Sequence, residues 1–207
     1  MSHHATEDLA ILRALPQMTV VSPGDLWEAR EATAQLAARA GPSYLRLEKS
    51  AAPKTNAPGE EFKLGKARKL RDGEDLTLIA TGGILGEALK AAEDLAHDGI
   101  QCRVLSMHTI KPLDVDAILD SCRQTGGIVT IEEHNIVGGL GSAVAEACLD
   151  AGVHPKLFHR IGLRDIYSAV VGTQEFLRQY YGMDATAIGS AVTAHLQVNT
   201  AKSVGAR

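Results

Sequence analysis

From residue 76 onward, short β-rich runs alternate with helix-length segments, and that alternation leaves few folds open. The runs are Leu76-Thr-Leu-Ile-Ala80, Gln101-Cys-Arg-Val-Leu105, Gly127-Ile-Val-Thr-Ile131 and Lys156-Leu-Phe-His159. Thr81-Gly-Gly83 turns the first run into a helix through His97, and Pro112 and Asp114 open a second helix to about Cys122. Gly138-Gly-Leu-Gly141 leads into a third over Ser142–Ala151, and a last one covers about Gln174 to Tyr181. Strands separated by helices of this length pair in parallel with right-handed crossovers. The run at 76–80 is apolar almost throughout, as in a strand covered on both faces. Phe62 to Arg68 adds an expected edge strand. The fold class expected is α/β: a mostly parallel sheet of about five strands with helices on both faces.

The first 50 residues read as helix, strand, helix, strand. Leu9, Ile11, Leu12 and Leu15 give a helix an apolar side, and Pro16 ends it. Met18-Thr-Val-Val21 is a short strand, and Ser22-Pro23-Gly24-Asp25 a turn with Asp25 as N-cap. Leu26, Ala29, Thr33, Leu36 and Ala40 recur at helical spacing up to the stop at Gly41-Pro42. Ser43-Tyr-Leu-Arg-Leu47 is a second strand. So few elements bury too little surface to be stable alone. Residues 1–50 are therefore expected to be part of a larger α/β domain. Residues 51–61 have linker composition, 62–188 form the main domain, and 189–207 are expected to be a flexible tail.

The chain is 45% hydrophobic and 22% charged over 207 residues, which excludes intrinsic disorder. A net charge of −4 and an aromatic content of 4% argue against a nucleic-acid surface. No apolar run approaches the roughly 18 residues of a membrane span, and Met-Ser-His-His has none of the regions of a signal peptide. Three cysteines, Cys102, Cys122 and Cys148, do not suggest a disulfide framework, so a cytoplasmic setting is expected.

Several residues carry chemical possibilities. The Gly138-Gly-Leu-Gly141 and Thr81-Gly-Gly83 turns sit between strand and helix, where backbone N–H groups can cradle phosphate. The same turns also serve close helix–sheet packing. Glu132-Glu-His134 follows a strand, where α/β folds place their sites. It suits acid–base work, contact with a partner domain, or simple solvation. His154 and His159 have no third ligand nearby and do not make a metal site. The cysteines read as apolar filler. Arg46 and Lys49 end a strand and suit an anionic substrate group, or else a solvated charge pair with Glu48. His3 and His4 precede a helix start and can donate to a substrate oxygen, or can belong to a disordered terminus.

Taken in order, three blocks in the first section resemble the end of the pyrimidine-binding domain of transketolases. They are Ser2-His-His-Ala-Thr-Glu-Asp-Leu-Ala-Ile-Leu-Arg13, Pro16-Gln-Met-Thr-Val-Val-Ser-Pro23 and Gly41-Pro-Ser-Tyr-Leu-Arg46. Asp75-Leu-Thr-Leu-Ile-Ala-Thr-Gly-Gly83, Ser106-Met-His-Thr-Ile-Lys-Pro-Leu-Asp114 and Glu132-Glu-His-Asn-Ile-Val-Gly-Gly-Leu-Gly-Ser-Ala143 resemble the transketolase C-terminal domain. The resemblance runs to about Ile188.

The resemblance implies a thiamine-diphosphate enzyme that moves two-carbon ketol units between sugar phosphates, with magnesium in the complete enzyme. His3 (or His4, one residue away) falls where the family contacts substrate near the cofactor's reactive carbon. Lys49 falls where the family usually has an arginine for the substrate phosphate; lysine keeps the charge and loses the bidentate geometry. Arg46 matches an arginine of some relatives, including deoxyxylulose-phosphate synthases. Tyr167-Ser-Ala-Val-Val-Gly-Thr-Gln174 departs from the family's segment there. The C-terminal domain of the family sits away from the cofactor and mainly supports assembly.

The family's magnesium-binding segment and its activating glutamate have no counterpart in this sequence. The chain alone is therefore expected to bind no cofactor and to be inactive. It is expected to act as the C-terminal part of a transketolase-like enzyme, truncated or completed by a thiamine-diphosphate-binding chain. Alternatives are a non-catalytic assembly or regulatory module pairing with a full transketolase, or part of a deoxyxylulose-phosphate synthase or 2-oxoacid dehydrogenase β subunit. Natural divisions fall between domains, and Met1 falls within one, which favours a fragment or a misassigned start. An open sheet edge further predicts a dimer or larger homo-oligomer.

Overall fold

The computed structural model describes residues 5–49 and 52–204. His3 and His4 lie outside the described residues. The first section contains α1 (Asp8–Ala14), β1 (Thr19–Val21), α2 (Leu26–Ala37) and β2 (Ser43–Leu45). The second contains β3 (Arg68–Arg71), β4 (Leu76–Thr81), α3 (Leu85–His97), β5 (Cys102–Ser106), β6 (Thr109–Lys111), α4 (Val115–Gln124), β7 (Ile128–Asn135), α5 (Leu140–Asp150), β8 (Phe158–Leu163), α6 (Gln174–Tyr180) and α7 (Ala185–Val204). The main sheet has the order β3-β5-β4-β7-β8. All its pairings are parallel except the edge strand β3, which runs antiparallel to β5. All six residues of the central β4 are buried, which explains its apolar run.

The small sheet has the order β2-β1-β6. β1 and β2 are parallel, with Thr19 opposite Ser43 and Val21 opposite Leu45. β6 comes from the second section and pairs antiparallel with β1. The sequence reading has no strand at 109–111, since its three residues carry no clear period. The first section thus completes its sheet with a strand from its neighbour. Phe62, expected to begin an edge strand, is instead buried with Val21 and Ala32. Its ring lies 4.2 Å from the His108 ring and 5.8 Å from Trp27. The edge strand begins only at Arg68.

The flexible tail expected from residue 189 also differs from the structure: through residue 204 it continues α7, and the helix packs on α3. Ile188 and Val192, four residues apart, are fully buried in the main core, a spacing that puts both on one face. The small and polar residues between them concealed that stripe.

The two sections are also joined by charge. Arg68 on β3 reaches Glu28 of α2 at 2.5 Å and Glu60 at 2.7 Å, with its guanidinium 4.6 Å from the Trp27 ring centroid. Glu28 is fully buried. Burial pushes its carboxyl up, while Arg68 and the Gly24 N–H hold it down. Breaking a buried pair by removing one partner leaves an uncompensated charge. Arg68→Ala should therefore destabilise the chain by about 3–5 kcal/mol, read as a lower urea midpoint. A loss below roughly 1 kcal/mol, the value for a surface pair, would contradict this placement.

Candidate functional site

The C-terminal ends of β2, β7 and β8 open on one cavity of about 750 Å³ at the seam between the sections. Ligands of α/β sheets bind outside these strand ends. Asp8 and Tyr44 line it from the first section, and Glu133 and Gln174 from the second. Arg46 and Lys49 line it as well. The structure therefore brings the two sequence-predicted anion binders together, but they differ in what they touch.

Arg46 continues β2, its N–H donating to the Val21 carbonyl at 2.9 Å. Its Nη2 donates to the carbonyls of Ala5 at 3.0 Å and Glu133 at 2.9 Å. Its Nε lies 3.6 Å from Asp8 Oδ2, which also accepts the Tyr44 hydroxyl at 2.7 Å. Burial, then the Asp8 carboxylate, pushes the Tyr44 phenol up to about 12. Arg46 thus ties the N-terminal segment and β7 to β2, as part of the cavity wall. Lys49 is exposed and makes no hydrogen bond or ion pair among the described residues.

Both glycine turns hold anions, and the anions are the protein's own. Leu140 and Gly141 donate their N–H groups to Glu132 at 2.6 and 2.8 Å. A Cβ on Gly139 would sit 2.0 Å from Glu132 Oε2 and 2.6 Å from His134 Nδ1. Gly83 donates its N–H to Glu48 Oε2 at 2.9 Å, and a Cβ on Gly82 would sit 2.3 Å from Glu48 Oε1. Helix N-termini favour negative charge, and here side-chain carboxylates take those places. Neither turn therefore has room for a diphosphate, and the residues described do not fit the diphosphate end of thiamine diphosphate. No cluster of three metal-ligating side chains occurs among the described residues.

Glu132-Glu-His134 is not a solvated charge run. Glu132 and His134 are fully buried. His134 Nδ1 lies 2.6 Å from the Asn135 carbonyl, and Nε2 lies 3.4 Å from the Ala10 N–H. The first partner only accepts and the second only donates, so the proton sits on Nδ1 of a neutral ring. Burial, the leading cause, holds that ring below the usual histidine range. Burial likewise pushes the Glu132 carboxyl up to about 7 against its two N–H donors. Glu133 accepts from Arg178 at 2.8 Å and Gln174 at 2.9 Å. Gln174 also lies 3.5 Å from Glu48 Oε2. Burial first, then the Glu133 charge, pushes Glu48 up to about 7.

The cysteines are distributed as expected for filler. Cys102 and Cys148 are buried and Cys122 is half-buried, with 3.6 Å between the Cys122 and Cys148 sulfurs. The His159 and His195 rings lie with centroids 4.4 Å apart and planes tilted by 51°. Asp8, Tyr44, Ser168, Gln174 and Tyr181 were not singled out from sequence as site residues. The one available signal was the unusual segment 167–174, which reaches the cavity through Ser168 and Gln174.

The model of the transketolase C-terminal domain matches residues 65–188, and that of the transketolase pyrimidine-binding domain matches 1–55. The chain belongs to the transketolase family. It is 43% identical over 187 residues to a 6-deoxy-6-sulfo-D-fructose transketolase subunit of Clostridium sp. (strain MSTE9), covering 90% of this chain and 57% of that protein. It is 39% identical over 188 residues to an apulose-4-phosphate transketolase subunit of Phocaeicola vulgatus, covering 90% and 59%. A solved structure described as a split gene transketolase, inactive beta4 tetramer, superimposes with a TM-score of 0.83 at 36% identity. That match covers 95% of this chain and 62% of the other. The chain thus spans under two thirds of these relatives. The expected family and fold class hold.

The raised carboxyls give a signed pH dependence. Glu48 and Glu132 both titrate near 7 when folded, above the ordinary 4.5. The folded state then holds more protons between these values, so stability falls as pH rises from about 4.5 through 7. Glu48→Gln should flatten that fall, measured as urea midpoints from pH 5 to pH 8. An unchanged slope would contradict a buried, protonatable Glu48.

Proposed function

We propose that this chain is the C-terminal section of a transketolase-type enzyme, which transfers two-carbon ketol units between sugar phosphates with thiamine diphosphate and magnesium. The observation that carries the reading is the seam cavity. It lies at strand ends, where α/β folds bind ligands, and Lys49, which the family resemblance matches to the substrate-phosphate position, is its unpaired cation among the described residues. The named activities of the relatives, both transketolase subunits, support the same class.

In this reading Lys49 takes the anionic end of the substrate. His3, or His4, contacts substrate near the reacting carbon. Arg46 supports this as a positioning residue, because it anchors the Ala5 carbonyl two residues after His3. The cofactor and its metal are held by the diphosphate-binding domain, supplied by a partner chain or by the rest of a longer polypeptide. Residues 1–50 and 62–188 then serve as the end of the pyrimidine-binding domain and the C-terminal domain. The setting is cytoplasmic. Alone, the chain self-associates and does not turn over, a reading supported by the relative described as an inactive tetramer.

The chain alone should show no ketol transfer. Combined with the diphosphate-binding domain, thiamine diphosphate and magnesium, it should transfer ketol units to a phosphorylated aldose. Lys49→Ala should then raise KM for that aldose about tenfold or more, the effect of losing roughly 1.4 kcal/mol of binding. Turnover by the purified chain alone, or an unchanged KM in the variant, would overturn this assignment.

A further inference from the structure

Two of the cysteines meet. Cys122 sits on the last turn of α4 and Cys148 on the last turn of α5, and these helices pack side by side. The two sulfurs lie 3.6 Å apart, in thiol–thiol contact. Both helices are seated in the same core cluster, α4 through Ile118 and α5 through Leu140 and Val144. Packing on each side therefore holds the sulfurs together. Cys102 belongs elsewhere. Along β5, Cys102 and Val104 join one core cluster, while Leu105 joins the cluster that holds Cys148. Alternate residues of a strand face opposite sides of its sheet, so Cys102 lies across the sheet from the pair.

The two thiols have unequal surroundings. Cys148 is 2% exposed, whereas Cys122 is half-buried and open to solvent on one side. Burial pushes the Cys148 thiol up to about 12, so it keeps its proton and can donate it to the Cys122 sulfur. Burial raises Cys122 as well, but the Cys148 contact and the neighbouring Arg123 guanidinium oppose that rise. Oxidation of a cysteine follows its exposure and its thiolate character. A small oxidant arriving from solvent therefore meets Cys122 first, with Cys148 already in contact behind it. Filling a core asks only for volume, which an aliphatic side chain supplies. Two touching sulfurs, one of them reachable, add a route to a disulfide.

We propose that Cys122 and Cys148 form a redox-reversible modification site that reacts with a hydroperoxide. With hydrogen peroxide, the Cys122 thiolate attacks one oxygen and the O–O bond breaks. The sulfur becomes a sulfenic acid, and the other oxygen leaves as hydroxide and takes up the thiol's proton to give water. The Cys148 sulfur then attacks the sulfenic sulfur. The S–O bond breaks, and a second water leaves with the Cys148 proton. Two thiols and one hydrogen peroxide thus give one disulfide and two waters. Because Cys148 is in contact, oxidation stops at a product that thiols reverse, short of the irreversible sulfinic acid. The bridge closes a loop that contains β7 and the Gly138–Gly141 turn, and so joins the two ends of the unit that carries Glu132, Glu133 and His134. In the cytoplasmic setting proposed above, such a bridge is transient and forms under oxidative challenge. The site does not depend on the ketol-transfer reading.

The test treats the full chain, reduced and natively folded, with hydrogen peroxide and reads it by mass spectrometry after alkylation under denaturing conditions. The wild-type chain should lose the mass of two hydrogen atoms. Peptide mapping should place a disulfide between Cys122 and Cys148, with Cys102 still alkylated. A dithiol reductant should restore the starting mass and the three free thiols. Cys148→Ala should leave Cys122 as a sulfenic acid captured by dimedone, and Cys122→Ala should leave Cys148 unmodified over the same time. The wild-type map decides by itself should either variant fail to fold. Oxygen added to Cys122 without a disulfide, a disulfide that includes Cys102 or joins two chains, or thiols left intact would each overturn the proposal. Oxidation of Cys148 in the Cys122→Ala chain at the wild-type rate would overturn the order of the two steps.

Discussion

The end of β2 is held by groups from the second section, and the cavity exists because of it. Arg46 donates to the Glu133 carbonyl of β7 and to Ala5, and Glu48 sits on the Gly83 N–H at the start of α3. A three-residue strand at a sheet edge has too few ladder bonds to fix the path of the chain beyond it. Charge-assisted hydrogen bonds to backbone groups do that here. With residues 46 and 48 turned inward and bonded, Lys49 stays exposed at the cavity rim. Loss of either clamp would release Lys49 from that position.

The buried carboxylates follow a common physical rule. An ionised carboxylate is costly to bury unless donors replace its water. Glu132 and Glu48 meet that condition only in part, with N–H groups at the beginnings of α5 and α3, where the helix dipole favours an anion, and burial still pushes both up to about 7. Glycines at 82 and 139 are required because a Cβ there would overlap the carboxylate oxygens. The turns that look like phosphate cradles in sequence are thus internal counterparts of such cradles. They lock sheet to helix and section to section, and they leave ligand binding to the seam. The Arg68–Glu28–Glu60 cluster repeats the device at the opposite edge, with Phe62 and Trp27 excluding water around it.

Much of the fold was legible in the sequence because its signals are local. The apolar run at 76–80, the caps at Asp25 and Asp114, and the glycine stops each act over a few residues. β6 was not legible, since Thr109-Ile-Lys111 becomes a strand only by pairing with β1 across the seam. α7 was concealed by small residues around its Ile188 and Val192 stripe. At the site, Arg46 and Lys49 were visible as two cations ending a strand. Their division of labour was not, because it depends on Ala5, Asp8 and Glu133, which are distant in sequence. Gln174 carried no chemical signature at all; only its carboxylate neighbours orient it.

The account rests on the seam cavity being a ligand site shared by both sections. The most direct measurement is a crystal structure of the assembled enzyme soaked with ribose 5-phosphate. The account predicts density for the sugar phosphate in this cavity, with its phosphate beside Lys49. A sugar phosphate bound elsewhere, with only water beside Lys49, would contradict it.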